Sequence, residues 1–234
     1  MKEEIKKRYK VVLKIKETSD VCTLQLEIEG EKIIYKSGQF ITVYFPELGT
    51  PEGKAYSISS APSEEYVSIT VKSMGAFSKR LCSLKKGDYI TASLPYGYFF
   101  TENDETDLVL IAGGIGIAPF RSMIVDSIAN LQKRKIILFY SNQKVDDIIY
   151  LNELNKISKL NKNIVFKYFI TRQEKVSLGY QKGRIKIADL IEENKKNSEF
   201  MICGSISFVR DFWKGLKDSG ISEDALYTEA FFSH

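Results

Sequence analysis

Histidine is almost absent from this chain. The 234 residues include one histidine, which is the last residue, His234. Imidazole is the usual general base near neutral pH and the commonest metal ligand in proteins. The sequence therefore excludes chemistry that needs an internal imidazole base, and it predicts no metal site.

Cysteine is scarce as well. The chain has three cysteines, Cys22, Cys82 and Cys203, and none of them belongs to a C-x-x-C motif. An odd number of widely spaced cysteines indicates neither a disulfide framework nor a thiolate metal cluster. The first ten residues mix acids with bases and contain no apolar stretch of the kind found in signal peptides. These features predict a cytoplasmic protein.

Long apolar runs and a strong net charge are also lacking. Hydrophobic residues make up 44% of the chain, yet no window of the length that spans a bilayer is uninterrupted, so we expect no membrane segment. The chain has 34 Lys and Arg against 30 Asp and Glu, a formal net charge of +4. This surplus is too small to indicate nucleic-acid binding. It is compatible with a mildly basic face for an acidic protein partner.

Short alternating runs dominate the first hundred residues. A loop marked by prolines and glycines covers Pro46–Gly53, and Ala76–Leu84 has the apolar spacing of a short helix. The predicted strands are Val11–Lys16, Cys22–Ile28, Phe40–Phe45, Tyr66–Lys72 and Tyr89–Leu94. Regular short strands with almost no helix predict an antiparallel barrel or sandwich.

Strands alternate with helices in the rest of the chain. The polar segment Thr101–Thr106 separates the two patterns, and we place the domain boundary between residues 103 and 104. This alternation predicts a mainly parallel sheet that binds its ligand at the carboxyl ends of the strands. Beyond the first strand and its helix, the predicted elements are a strand Lys135–Ser141, a helix Asp146–Ser158, a strand Ile164–Thr171, a helix Ile187–Asn194, a strand Phe200–Cys203, a helix Ile206–Ser219 and a strand Ala225–Phe231.

A glycine-rich turn opens this second half. The stretch Asp107–Phe120 reads D-L-V-L-I-A-G-G-I-G-I-A-P-F, an apolar run that predicts a buried parallel strand. Glycines then allow a ligand to approach the backbone, and Pro119 suits the first turn of a helix. Free amides and the helix dipole at such a turn favour a phosphate or diphosphate. The alternative is a tight strand–helix turn that serves packing alone.

Two segments of the first half could also contact a ligand. Lys54–Ser60, K-A-Y-S-I-S-S, offers a cation, an aromatic ring and a hydroxyl, and strand alternation places Lys54 and Tyr56 on one face with Ser57 on the other. An exposed edge strand is the alternative. Gly75–Ser78, G-A-F-S, combines a glycine, backbone amides and a hydroxyl at a helix start, which is a second potential anion site. A serine cap beside a buried phenylalanine explains that segment equally well.

The end of the chain contributes two further features. Cys203-Gly204 ends a strand and precedes a helix, which places the thiol at the carboxyl edge of the sheet. Glu229, Phe231 and Phe232 lie in the last strand, where aromatic rings beside a carboxylate could cover a flat ligand. Buried packing of the thiol and simple docking of the tail are the alternatives.

Taken together, these segments resemble the ferredoxin–NADP reductase superfamily in order and approximate spacing, over nearly the whole chain. The resemblance implies a single-chain form with no iron–sulfur domain. It implies a two-domain fold, with an antiparallel six-stranded FAD-binding β-barrel (1–103) followed by an α/β parallel-sheet NAD(P)-binding domain (104–234). Lys54 stands where the family usually has arginine.

The resemblance also implies residue roles. Ser57, Cys203 and Glu229 would act at the reacting rings. The residues implied to bind FAD are Lys54, Ala55, Tyr56, Ser57, Val71, Lys72, Gly75, Ala76, Phe77, Ser78, Phe231 and Phe232. The residues implied to bind NAD(P) are Gly114, Gly116, Ile117, Ala118, Pro119, Ser141, Thr171, Arg172, Tyr180, Cys203 and Gly204.

The implied activity is hydride transfer from NADPH or NADH to FAD, with electrons passed on to an acidic ferredoxin, a flavodoxin or an oxygenase component. Cations around Thr171-Arg172 favour NADPH, because they suit its 2′-phosphate. The alternatives are a reductase that uses free flavin as a substrate and an electron-transfer subunit of a larger complex.

Overall fold

A computed structural model describes residues 5–28, 30–103, 105–192 and 198–231. Over these ranges the chain forms two compact units, each built on a six-stranded sheet. The first unit comprises the described residues up to Phe100 together with Ala118–Asn130. The second comprises Thr101–Ile117 and the described residues from Leu131 onward. The boundary between residues 103 and 104 stays a prediction.

The sheet of the first unit is antiparallel. Its strands are β1 (Lys6–Lys16), β2 (Val21–Glu27), β3 (Phe40–Phe45), β4 (Thr50–Ser57), β5 (Val67–Lys72) and β6 (Tyr89–Ser93). Their order in the sheet is β4-β3-β6-β1-β2-β5, and a bridge between Ile58 and Ile69 joins the segment after β4 to β5. This bridge brings the two outer strands together and closes the predicted barrel.

Apolar side chains that alternate along the strands fill the barrel. Leu24 and Leu26 of β2, and Ile69 of β5, are fully buried in one core cluster. Helix α1 (Ala76–Ser83) adds Phe77 and Leu81 to the same cluster. Because these two residues are four positions apart, they lie on one face of the helix. Helix α1 is therefore fixed to the barrel by its buried face.

The predicted loop Pro46–Gly53 is wrong in its second half. A 3-10 turn covers Pro46–Leu48, Gly49 adopts a left-handed φ of 70°, and β4 begins at the next residue. Gly53 also has a positive φ, and a Cβ at that position would lie 2.5 Å from the Val43 carbonyl oxygen. Glycine thus permits the chain to reverse and pair at once, where the sequence pattern suggested an open loop.

Helix α2 (Ile117–Ala129) packs on the barrel through residues beyond its first. The Arg121 guanidinium donates to both carboxylate oxygens of Glu64, at 2.9 and 3.1 Å. The Ser122 hydroxyl donates to the Ser60 carbonyl. A bidentate ion pair fixes orientation as well as distance, so the helix is held to the barrel at a defined angle.

The sheet of the second unit is parallel throughout its described pairings. Its strands are β7 (Asp107–Gly113), β8 (Ile136–Asn142), β9 (Ile164–Ile170), β10 (Tyr180–Lys182), β11 (Ser198–Ser205) and β12 (Leu226–Phe231). Their order in the sheet is β10-β9-β8-β7-β11-β12, which confirms the predicted α/β class. The helices are α3 (Leu151–Leu160), α4 (Ile187–Glu192) and α5 (Ile206–Asp218).

Some predicted boundaries in this unit differ from the structure. The helix predicted for Asp146–Ser158 starts later: a 3-10 turn covers Val145–Asp147, Tyr150 has a φ of 62°, and α3 follows. The end of the helix predicted for Ile187–Asn194 lies outside the described residues. Strand β10 was not predicted, since three residues are too few to show a period.

Two classes of feature are missing from the part of the chain that the structure describes. No helix there is both long and apolar enough to cross a bilayer. No group of three or more His, Cys, Asp or Glu side chains there could hold a metal ion.

Candidate functional site

Strand β4 and helix α1 bring a cation and two aromatic rings together in the first unit. Tyr56 is paired with Ile41, and Lys54 with Val43, across β3 and β4. The Tyr56 and Phe77 rings lie 6.3 Å apart between centroids and are nearly parallel, at 22°. The Lys54 ammonium lies 5.7 Å from the centroid of the Phe77 ring. This arrangement sets the partly exposed Tyr56 ring beside the buried Phe77 ring, with the positive charge of Lys54 nearby.

Burial sets the chemical state of this surface. Tyr56 is half-buried and packs against the barrel core. Burial raises the pKa of Tyr56 above the ordinary value of a phenol, so the ring stays neutral at physiological pH. The adjacent Ser57 is buried, whereas Ala55 is exposed. A neutral, partly exposed ring on a rigid strand is suited to stacking on a flat heterocycle.

The start of helix α1 is open. Gly75 precedes the helix in an extended conformation, and no atom lies within 4 Å of the position that a Cβ would take. The first helical amides, from Ala76 to Ser78, have no acceptor within the helix. The Ser78 hydroxyl accepts the Met74 and Gly75 amides at 2.9 and 3.2 Å. The Ser78 hydroxyl therefore stabilises the turn before the helix. The amides of Ala76 to Ser78 are the groups that could donate to a diphosphate.

Val71 and Lys72, which the resemblance places beside the cofactor, end strand β5 and make contacts within the barrel unit. The Val71 side chain is fully buried in the barrel core. The Lys72 ammonium lies 3.4 Å from a carboxylate oxygen of Asp20. Val71 is therefore restricted to backbone contacts with any ligand.

The second unit places its glycine turn at a switch in strand order. Strand β7 has β8 on one side and β11 on the other. In open α/β sheets the ligand crevice lies at the carboxyl ends of strands that flank such a switch. The turn Gly114–Gly116 follows β7, and Cys203 of β11 is paired with Ala112. A Cβ on Gly116 would lie 2.2 Å from the Cys203 carbonyl oxygen, so only glycine fits there.

Two aromatic residues that were not predicted hold this turn. The buried Tyr140 hydroxyl donates to the Gly114 carbonyl at 3.0 Å. The ring of Phe208 lies 3.2 Å from a Cβ built on Gly113 and 2.8 Å from one built on Gly204. The sequence contains no spacing signal for either contact, because both join separate elements. Gly114 itself has a φ of 52° and open space beside it, which fits a bound diphosphate.

Cys203 and Glu229 are in register on β11 and β12. The Cys203 thiol is fully buried. Burial, with a further contribution from the Glu229 carboxylate, raises the pKa of Cys203 well above its usual value. Burial at this position therefore favours the neutral thiol over the thiolate, which is the nucleophilic form. Phe231 is paired with Ser205 at the same sheet edge, and Phe232 lies outside the described residues.

The remaining predicted contacts lie along the same edge. Ser141 is in register with Gly113. The Thr171 hydroxyl donates to the Asn142 carbonyl at 3.1 Å, which ties together the loops after β8 and β9. Arg172 is exposed beyond it.

Two more groups complete the predicted set. The rings of Tyr180 and Tyr168 lie 5.8 Å apart between centroids. Ile117, Ala118 and Pro119 are buried in the first turn of α2. Most of the residues expected to bind FAD thus lie on the barrel unit, but Phe231 belongs to β12 of the second unit. Most of those expected to bind NAD(P) lie in the second unit, but Ala118 and Pro119 belong to the barrel unit.

Two known domain families match the chain. Residues 8–100 match the oxidoreductase FAD-binding domain. Residues 110–214 match the oxidoreductase NAD-binding domain. The two matches together span most of the chain and follow the order of the barrel and the parallel sheet.

Individual relatives are similar at low identity. The chain is 26% identical to a flavohemoprotein of Bacillus subtilis over 96% of this chain and 59% of that protein, so it spans about three fifths of its length. It is 29% identical to the sulfhydrogenase 2 subunit gamma of Pyrococcus furiosus over 87% of this chain and 74% of that protein. A ferredoxin–NADP⁺ reductase of Neisseria gonorrhoeae, solved with FAD and NADP, has the same fold, with a TM-score of 0.80 and 21% identity over 98% of this chain and 100% of that one.

Proposed function

Because the chain belongs to the ferredoxin–NADP reductase superfamily and is an FAD-dependent NAD(P)H oxidoreductase, we propose which residues hold each cofactor and what class of acceptor the enzyme reduces. The observation that carries the proposal is the convergence of Lys54, Tyr56 and Phe77 beside the open start of α1. A stacking ring, a cation and free amides are the groups that a flavin dinucleotide requires.

The flavin seat lies on the barrel unit. Tyr56 stacks on the flavin ring, Ser57 positions the reactive edge, and the amides at the start of α1 bind the diphosphate. Lys54 supplies one charge to the diphosphate but lacks the bidentate fork of the arginine that is usual in the family, so we expect a looser grip. FAD bound in this seat would supply the redox chemistry, a two-electron transfer from the nicotinamide to the acceptor, and the residues named here would hold and orient it.

The nicotinamide seat lies at the edge of the parallel sheet. The turn that contains Gly114 and Gly116 binds the coenzyme diphosphate, and the neutral Cys203 thiol borders the nicotinamide ring. Glu229 holds or relays a proton beside that ring. The switch in strand order and the register of β11 with β7 and β12 support these proposed roles.

The purified protein is expected to be yellow and to lose its flavin absorbance when NADPH or NADH is added without oxygen. Absorbance spectra before and after anaerobic addition measure this. FAD that stays with the protein through gel filtration excludes a reductase that uses free flavin as a substrate. A colourless protein that binds no FAD on reconstitution would contradict the assignment of the flavin seat.

Coenzyme preference is expected to depend on Arg172. The exposed guanidinium beyond β9 suits the 2′-phosphate of NADPH. Losing one charged hydrogen bond to that phosphate costs about 1.5–3 kcal/mol, so Arg172→Ala should lower kcat/KM for NADPH about 10- to 100-fold. The value for NADH should stay within about twofold, because NADH lacks the phosphate.

Arg210→Ala is the matched control for that prediction. This variant also removes one exposed guanidinium charge, that of an arginine paired with Asp211 on α5. The values of kcat/KM for NADPH and for NADH should both stay unchanged. A wild-type enzyme that strongly prefers NADH, or an Arg172→Ala variant that loses activity with both coenzymes equally, would refute the proposed NADPH contact.

We propose an acidic electron-carrier protein, such as a ferredoxin or flavodoxin, or an oxygenase component, as the acceptor. Strand β1 reads K-K-R-Y-K-V-V-L-K-I-K and carries basic residues but no acidic ones. Basic strands of this kind favour association with an acidic protein. The test mixes reduced enzyme with a purified carrier of each class and measures how fast the carrier is reduced. The carrier that is reduced fastest is identified as the acceptor.

A role as an electron-transfer subunit is the second proposal. It is supported by the similarity to a protein that is itself named as a subunit, the sulfhydrogenase subunit of Pyrococcus furiosus. An isolated chain that binds FAD but fails to reduce an artificial acceptor such as ferricyanide would favour this role. In either role we propose the cytoplasm as the compartment, since the three cysteines are free thiols.

A further inference from the structure

The proposed function makes no use of two cysteines that lie in contact. Cys22 belongs to strand β2, and Cys82 lies in the last turn of helix α1. Their sulfur atoms are 3.0 Å apart, although the residues are 60 positions apart in sequence. Both are free thiols. Sulfurs in a disulfide bond are about 2.05 Å apart, so a shift of about 1 Å would join them.

The surrounding structure holds this pair together. Cys22 is in register with Val71 of β5, and the Cys82 thiol lies 3.6 Å from the Val71 carbonyl oxygen. The Lys14 ammonium of β1 donates to the carbonyl oxygen of Cys82. Phe77 and Leu81, buried in the barrel core, fix the helix that carries Cys82. The contact thus follows from strand register and helix packing.

We propose that Cys22 and Cys82 form a redox-active dithiol, which closes to an intrachain disulfide by exchange with a low-molecular-weight disulfide such as oxidised glutathione.

The two thiols have unequal roles in this exchange. Cys22 is buried, whereas Cys82 is partly exposed. The hydrogen bond that Cys22 donates lowers the pKa of Cys82, and the Lys14 ammonium lowers it further. The same hydrogen bond, together with burial, raises the pKa of Cys22. Cys82 is therefore the accessible thiolate that attacks, and Cys22 is the resolving thiol.

The reaction proceeds in two balanced exchanges. The Cys82 thiolate attacks one sulfur of glutathione disulfide, forms a mixed disulfide and releases one glutathione thiolate. Cys22 then loses its proton to solvent and attacks the Cys82 sulfur, which releases the second glutathione. The two cysteines are oxidised, and one glutathione disulfide is reduced to two glutathione molecules.

The test incubates the full-length protein in glutathione buffers of increasing oxidised fraction. We expect the thiols that can be alkylated after denaturation to fall from three to one as the protein loses two hydrogens in mass, because Cys203 is fully buried and stays reduced during oxidation. Peptide mapping should join the peptides that contain Cys22 and Cys82. The melting temperature should rise by about 5–10 °C, because the bond closes a long loop in the unfolded chain. Cys203→Ala is the matched control and should form the same disulfide.

Single variants separate an exchange site from a chance contact. Cys22→Ser should accumulate a stable mixed disulfide of Cys82 with glutathione, because no resolving thiol remains. Cys82→Ser should stay unmodified, because Cys22 is buried. Three alkylatable thiols in fully oxidised glutathione, or equal reaction of both single variants, would overturn the proposal. The readout is thiol chemistry, so it is independent of whether the protein binds FAD as proposed.

Discussion

Replacement of Tyr56 by alanine is expected to raise the dissociation constant for FAD about 10- to 100-fold, because it removes the stacking ring from the flavin seat. The Tyr56 ring lies nearly parallel to Phe77 and is held by the rigid pairing of β3 and β4. Fluorescence titration of the apoprotein with FAD measures the constant. Tyr56→Phe keeps the ring and should bind FAD within about twofold of the wild-type protein.

Tyr44→Ala controls for damage to the barrel. Tyr44 is a buried tyrosine of β3 that is absent from the core cluster against which Tyr56 packs. This variant should lower the melting temperature yet leave the FAD content of the folded protein unchanged. If Tyr56→Ala binds FAD with the wild-type dissociation constant, the Tyr56 ring does not stack on the flavin. The same conclusion holds if Tyr56→Phe loses as much FAD affinity as Tyr56→Ala.

A methyl group on Gly116 is expected to abolish most binding of the nicotinamide coenzyme. The added Cβ would lie 2.2 Å from the carbonyl oxygen of Cys203 and 2.5 Å from its carbonyl carbon. Backbone atoms cannot rotate away, so the turn after β7 and the end of β11 must separate. We expect a loss of about 3 kcal/mol in the free energy of unfolding and at least a roughly 100-fold fall in kcat/KM.

Gly114→Ala distinguishes this steric effect from the general cost of losing a glycine. Gly114 has a φ of 52°, but a Cβ there meets no atom within 4 Å. Its cost should be about 1 kcal/mol of backbone strain. Thermal unfolding compares the stability of the two variants, and steady-state kinetics compare kcat/KM of Gly116→Ala with that of the wild-type enzyme. If Gly116→Ala is as stable as Gly114→Ala, the turn after β7 has room for a Cβ beside the Cys203 carbonyl, and the proposed steric effect is refuted.

The parallel sheet was predictable because its signals are local. The run from Leu108 to Ala112 is continuously apolar, and the glycines after it mark the end of the strand in the sequence itself. The alternation of Lys54 and Tyr56 likewise follows from the two-residue period of a strand. These patterns are written within a few residues, so no knowledge of distant contacts is needed.

The missed features depend on distant contacts or on single glycines. Strand β4 was predicted in part as a loop because Gly49 and Gly53 resemble loop residues when their pairing with β3 is unknown. Tyr140 and Phe208 support the nucleotide turn across separate elements. The contact between Cys22 and Cys82 arises from a helix packed on a sheet. No periodicity in the sequence encodes such neighbours.

Helix α2 has a consequence for any attempt to divide this protein. The two family matches suggest a cut between residues 100 and 110, but the helix that carries Arg121 and Ser122 follows that cut and still packs on the barrel. A fragment truncated there would leave the Glu64 carboxylate without its guanidinium. The barrel unit is thus discontinuous along the chain, and a chimera that takes this unit from one protein must include residues 118–130 as well.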